Sequence, residues 1–122
     1  AIKDNLENEV PIIMFGPPTS QFPNKILESK GVDIITRWEF DFTLAELLNK
    51  LENGEDIKDV LGISYKKDGE IIHKPDRPFS TSEDLDKLPF VSKAYKKHLN
   101  IRDYFLNYSL YPMVQIFVGR GC

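Results

Sequence analysis

The sequence predicts an α/β fold built on a parallel sheet, and three features predict it. Val10-Pro11-Ile12-Ile13-Met14-Phe15 and Val32-Asp33-Ile34-Ile35-Thr36 are short apolar runs with little alternation, as suits strands buried on both faces. Helical patterning lies between them, over 24–30, and again after Thr43. Strands and helices therefore alternate, which implies an open sheet joined by right-handed crossovers.

Each element follows from its residues. Ile2 and Leu6 stand four apart, so 2–7 reads as the end of a helix. The first apolar run stops at Gly16-Pro17-Pro18, and Gly31 is expected to close the helix over 24–30 in a left-handed conformation. The second strand is rich in β-branched residues. Thr43 is expected to N-cap the next helix, with Glu46 completing a capping box. Leu44, Leu47, Leu48 and Leu51 then share one face, and Gly54 ends the helix.

Beyond Gly54 the patterning changes. Residues 61–66 and 70–74 flank Lys67-Asp68-Gly69, a strong hairpin signal. Three prolines and a Ser/Thr cluster give 75–89 the composition of a linker. Residues 84–90 read as a helical turn with a Pro-fixed corner, 92–100 as a basic helix, and 113–118 as a strand. The expected division is an α/β part over 1–60, a hairpin and connector over 61–111, and a terminal strand with its loop over 112–122.

Composition excludes several classes of function. No apolar run approaches the roughly 18 residues of a membrane helix. The net charge is −3, and Lys93, Lys96 and Lys97 with Tyr95 and Tyr104 carry no RNA-binding signature, so no nucleic-acid partner is expected. One cysteine excludes an internal disulfide framework and suits a reducing compartment, which makes a cytoplasmic location the expectation. His73 and His98 have no second ligand at metal spacing and read as solvated surface. No Ser/His/Asp or paired-carboxylate constellation stands out.

Open parallel sheets bind ligands beyond the carboxyl ends of their strands. Residues 16–23 follow the first strand, and Trp38, Glu39 and Phe40 follow the second at the same edge. Gly16, Pro17, Thr19, Trp38 and Glu39 are thus the candidate cofactor-binding residues. The bland alternatives are a plain Pro/Gly-rich connection and a Trp38 that covers core.

The end of the chain is distinctive. Val118-Gly119-Arg120-Gly121-Cys122 resembles the lead-in to the radical-SAM (S-adenosylmethionine) signature, in which two further cysteines follow. In that family three thiolates hold a 4Fe-4S cluster and its open iron takes the amine and carboxylate of S-adenosylmethionine. The order upstream agrees. Gly16-Pro17-Pro18-Thr19 after a strand, then a helix, then residues 32–39 before a leucine-rich helix, resembles the later half of the cobalamin-binding domain found before many such barrels. The 62–74 hairpin with Leu85-Asp86-Lys87-Leu88-Pro89-Phe90 is similar to the connector of that architecture. The resemblance spans nearly the whole chain. Two positions depart from the usual pattern: Pro18 stands where many relatives have His, and Trp38 where a Gly commonly precedes the Glu. There is no Asp-x-His-x-x-Gly cobalt-ligand motif.

The resemblance implies a partial Rossmann-like sheet, with residues 112–122 as the first strand of a barrel that the chain itself lacks. It implies a parent enzyme that uses a 4Fe-4S cluster, S-adenosylmethionine and cobalamin, and cleaves S-adenosylmethionine reductively for methyl transfer or ring formation. Cys122 is then a cluster ligand in the intact protein only. The fragment alone is expected to catalyse nothing, to hold no cofactor, to have the missing barrel as its partner, and to self-associate through open strand edges. The rival reading is a standalone α/β ligand-binding or interaction module in which Cys122 is incidental. A receiver-like signalling domain is a weaker form of that rival, because no paired acidic residues follow a first strand.

Overall fold

The computed structural model describes residues 10–116. The helix end expected over 2–7 and the Gly-Arg-Gly-Cys motif lie outside the described residues. The chain divides into two compact units, one running to Phe79 and the other starting at Ser80. The hairpin belongs to the first unit, whereas the sequence grouped it with the connector. Among the described residues no helix is long and apolar enough to cross a membrane.

The first unit is α/β. Its elements are β1 (Ile13–Met14), α1 (Pro17–Gln21), α2 (Pro23–Glu28), β2 (Ile34–Thr36), α3 (Asp41–Glu52), β3 (Ile63–Lys67) and β4 (Glu70–His73). They form one four-stranded sheet in the order β1-β2-β3-β4. β1 and β2 are parallel, pairing Ile13 with Ile34 and Met14 with Ile35. The hairpin then extends the sheet, with β3 antiparallel to β2. The parallel pair is as expected, but the sheet is mixed. β1 is also shorter than its apolar run. Pro11 has no N–H to give to a ladder, and the Ile12 N–H is taken by Asp33 Oδ2 at 2.8 Å.

The pleat sorts the side chains. Ile13, Ile34, Ile63, Tyr65 and Ile72 share one face and pack with Leu47 and Leu51 of α3, and with Ile57 and Val60. The other face carries Ile35, which is fully buried, as is Leu27 of α2.

α3 corrects the expected cap. The helix begins at Asp41, and Thr43 is buried within it. Thr43 Oγ1 accepts from Arg77 Nε at 2.9 Å and donates to the Leu61 carbonyl at 3.4 Å. Glu46 pairs with Arg77 Nη2 instead of closing a capping box. With Thr43 drawn inward, the buried stripe runs through 43, 47 and 51, and Leu48 is exposed. Gly54 follows the C-cap with φ 68°, as expected. Gly31 does not take a left-handed conformation; α2 ends at Glu28 and the extended Ser29 already leaves the helix.

The hairpin is as expected. Asp68 and Gly69 have φ 52° and 85°, and Lys67 pairs with Glu70 across them. Two positive φ values in a two-residue loop give the twist that antiparallel strands need.

Arg37 joins the strand ends. Its N–H donates to the Gly62 carbonyl at 2.8 Å. Its guanidinium is 8% exposed and reaches the Ile63 carbonyl at 3.0 Å. It also donates to Ser64 Oγ, to the Lys74 carbonyl and, through Nε, to Asp76 Oδ1, while Nη2 forms an ion pair with the same carboxylate oxygen at 2.8 Å. Gly62 beside it has φ 76°, and a Cβ there would meet Thr43 Oγ1 at 3.1 Å, so the position needs glycine twice over.

In the second unit, α4 (Ser82–Asp86) carries a capping box of Thr81 and Asp84. α5 (Val91–His98) ends in Lys96, Lys97 and His98, and Ile101–Asp103 forms a 3-10 turn. The strand expected over 113–118 is not formed in its described part, 113–116; no strand among the described residues pairs with it.

Arg37→Ala should lower unfolding free energy in urea by about 2–4 kcal/mol, because several inward-facing acceptors lose their donor. Asp76→Asn should cost less than about 1 kcal/mol, because the carboxylate is solvent-exposed; equal losses would mean that the charge pair, not the backbone anchoring, holds the sheet end. The Asp84 carboxyl is held down at about 2 by hydrogen bonds from Lys87 and Thr81. A depressed folded value means that its support of α4 is complete above the ordinary carboxylate range and lost as pH falls through about 2. An NMR titration of Asp84 should show that midpoint, with α4 fraying below it.

Candidate functional site

The carboxyl ends of β1 and β2 lie side by side, since the strands are parallel neighbours. Gly16 leaves β1 with φ 109°, a conformation that glycine tolerates, and a Cβ there would meet nothing within 4 Å. The backbone at Gly16 is therefore open to approach. The segment expected as a loop, 16–23, is mostly helical: α1 starts at once on Pro17 and Pro18, and α2 starts at Pro23. Proline suits a first helical turn, where its missing N–H is no loss.

Thr19 is fully buried. Its hydroxyl lies 2.7 Å from the Gly16 carbonyl and 2.6 Å from the Thr36 carbonyl, with one proton shared between them. Thr19 therefore ties the end of β1 to the end of β2 and points away from any ligand. Ser20 Oγ accepts the Trp38 N–H at 2.6 Å. Phe15 and Phe40 meet with ring centroids 4.7 Å apart. The structure thus gathers Gly16, Pro17, Thr19, Trp38 and Glu39 at one end of the sheet.

Trp38 is the unusual member. Its φ is 57°, a strained conformation for a bulky residue. The indole is half exposed and meets Phe79 edge-on, 6.3 Å between centroids. A glycine, which the resembled domain commonly has here, would take this conformation without strain.

An open cleft of about 450 Å³ lies beside Trp38, lined by Ser20, Pro23, Arg37, Trp38, His73, Lys74, Pro75 and Asp76. The sequence pointed to Ser20, Pro23 and Trp38 of this lining, but not to Arg37, Lys74, Pro75 or Asp76. His73, read as solvated surface, is exposed but engaged at both ring nitrogens: Nδ1 lies 2.8 Å from Ser64 Oγ and Nε2 lies 2.8 Å from Asn24 Oδ1. Asn24 Oδ1 can only accept, so Nε2 carries a proton and donates to it, and in the neutral imidazole Nδ1 then accepts from Ser64 Oγ. Neither nitrogen is left for a metal. Among the described residues no group of three His, Cys, Asp or Glu side chains could hold a metal ion. Cys122 lies outside the described residues. The cleft offers a flat aromatic face and a rim whose polar groups are largely bonded to one another.

Comparison with known proteins adds two relatives. An uncharacterized methyltransferase of Pyrococcus horikoshii is 32% identical over 92 residues, which is 75% of this chain and 20% of that protein. The anaerobic magnesium-protoporphyrin IX monomethyl ester cyclase of Synechocystis is 35% identical over 116 residues, 91% of this chain and 21% of that protein. The chain spans about a fifth of the length of these curated relatives. No protein-family model matches it, and no solved structure matches it significantly. The chain is thus related to segments of a methyltransferase and of a cyclase.

Thr19→Val should lower stability by about 1–3 kcal/mol, since two inward-facing carbonyls lose their shared donor. Thr19→Ser should keep most of it, as measured by denaturant unfolding. Equal losses in the two variants would assign Thr19's role to packing of its methyl group.

Proposed function

We propose that the chain is the later part of a cobalamin-type α/β domain, with its connector, in a radical-SAM enzyme. The observation that carries this reading is the 116-residue similarity to a cyclase, across a fold whose parallel strand ends bring together the residues expected at a cofactor. The whole protein would cleave S-adenosylmethionine reductively with a 4Fe-4S cluster, for methyl transfer or ring formation, the two chemistries that the relatives' names bring. Its barrel is the proposed partner of this chain.

The residues present fit cobalamin in one respect. Gly16 leaves backbone open, and Trp38 offers an exposed indole face against which a corrin ring could lie. Pro17 and Glu39 flank that place, and Thr19 holds its two strands together. His73, the histidine of the cleft, offers no imidazole for cobalt, because both its nitrogens are engaged. The residues do not fit a cluster by themselves: the chain has one cysteine, and a 4Fe-4S centre opened to S-adenosylmethionine takes three. Cys122 is proposed as one of those three in the intact protein.

The test has two arms. The whole protein should bind hydroxocobalamin saturably by equilibrium dialysis, and Trp38→Gly in it should weaken binding about tenfold, worth ~1.4 kcal/mol, while leaving stability equal or higher. The whole protein, reconstituted anaerobically with iron and sulfide, should convert S-adenosylmethionine to 5′-deoxyadenosine under reducing conditions. A whole protein that gains no cluster and leaves S-adenosylmethionine intact would support the standalone binding module instead.

A further inference from the structure

The segment after β4 was read from sequence as linker, yet it is fastened at three consecutive residues. The Pro75 carbonyl accepts the Gly62 N–H at 2.7 Å. Asp76 accepts from Arg37 Nε at 2.9 Å and forms an ion pair with its Nη2 at 2.8 Å. Arg77 donates to Thr43 Oγ1 at 2.9 Å and pairs with Glu46 on α3. Successive side chains thus engage β2 and α3, which leaves this stretch little freedom. Two residues on comes Phe79. It is 69% exposed, so it adds little to the core, and its ring contact is the Trp38 indole.

Trp38 needs such support. A bulky residue at positive φ persists only where its surroundings over-determine it, and strain of this kind concentrates at functional sites. Here three groups hold it: the anchored Arg37 before it, Ser20 on its N–H, and the Phe79 edge on its ring. The first two fix the backbone. Phe79 is the aromatic partner of the half-exposed indole.

We propose that residues 75–79 form a fixed wall of the ligand site and that Phe79 is the positioning residue for Trp38, setting the plane of the indole against a flat conjugated ligand. This deepens, and rests on, the cobalamin reading above. The edge-on geometry leaves the indole face turned away from Phe79 free to stack, which suits a planar macrocycle better than a small anion. Arg37, whose charge could have drawn an anion, is already saturated by Asp76, Ser64 and two carbonyls.

Trp38 is the sole tryptophan of the sequence, so intrinsic fluorescence reports on this contact alone. The experiment uses the 122-residue chain and its Phe79→Ala, Phe79→Leu and Phe79→Tyr variants, with far-UV circular dichroism confirming that each is folded. Phe79→Ala and Phe79→Leu should raise acrylamide quenching of Trp38 and lower its anisotropy. Carried into the whole protein, they should weaken hydroxocobalamin binding by about twofold to tenfold, the range expected for losing one aromatic contact. Phe79→Tyr keeps the ring and should restore both readouts, which a merely apolar role would not require, since leucine would then serve as well. Unchanged quenching and anisotropy in Phe79→Ala overturns the positioning role. Raised quenching, with no hydroxocobalamin bound even by the unsubstituted whole protein, upholds the positioning and overturns the cofactor reading.

Discussion

The buried guanidinium of Arg37 is the constraint on which the rest of the first unit depends. Strand ends are where a sheet loosens, because ladder hydrogen bonds run out there. At this end three strands stop within one side chain's reach, and Arg37 supplies donors to the backbone of β3 and to the end of β4. Its charge is met by a carboxylate that stays in solvent, so little desolvation accompanies the pairing. A lysine could not replace it. Its three N–H groups diverge from one point, whereas the planar fork here serves acceptors on three segments.

That anchoring makes a strained neighbour tolerable. Trp38 follows Arg37 directly and takes a positive φ that most residues avoid. Its exposed indole gains little from burial, so core packing does not account for the strain. At Thr19 one hydroxyl likewise links two carbonyls and ties the end of β1 to the end of β2. This end of the sheet is therefore held through its backbone.

The second unit is organised differently. None of its described residues is buried, and Phe90, Phe105, Tyr108 and Leu110 stand well exposed. Its order comes from local devices: the Thr81–Asp84 capping box, the Lys87–Asp84 pair and the Asn100 cap of the 3-10 turn. Such contacts contribute tenths of a kcal/mol to about 2 kcal/mol each. A segment with so much apolar surface in water gains chiefly by covering it.

Much was legible in the sequence because it is written in short-range chemistry. Two unalternating apolar runs named the parallel strands, Asp68-Gly69 named the hairpin turn, and Gly54 named the end of α3. The juxtaposition of residues 16–19 and 37–40 was legible too, since parallel strands put both segments at one edge. What the sequence alone left open is long-range. Thr43 and Glu46 read as a capping box until Arg77, more than thirty residues on, claims both. His73 reads as surface until Ser64 and Asn24 take its two nitrogens. Pro75-Asp76-Arg77-Pro78-Phe79 reads as linker until Arg37 and α3 fasten it. Local propensity and periodicity determined which elements exist. Only the tertiary structure decided which polar side chains meet, because an arginine's five donors have no preferred partner until folding brings acceptors within about 3 Å.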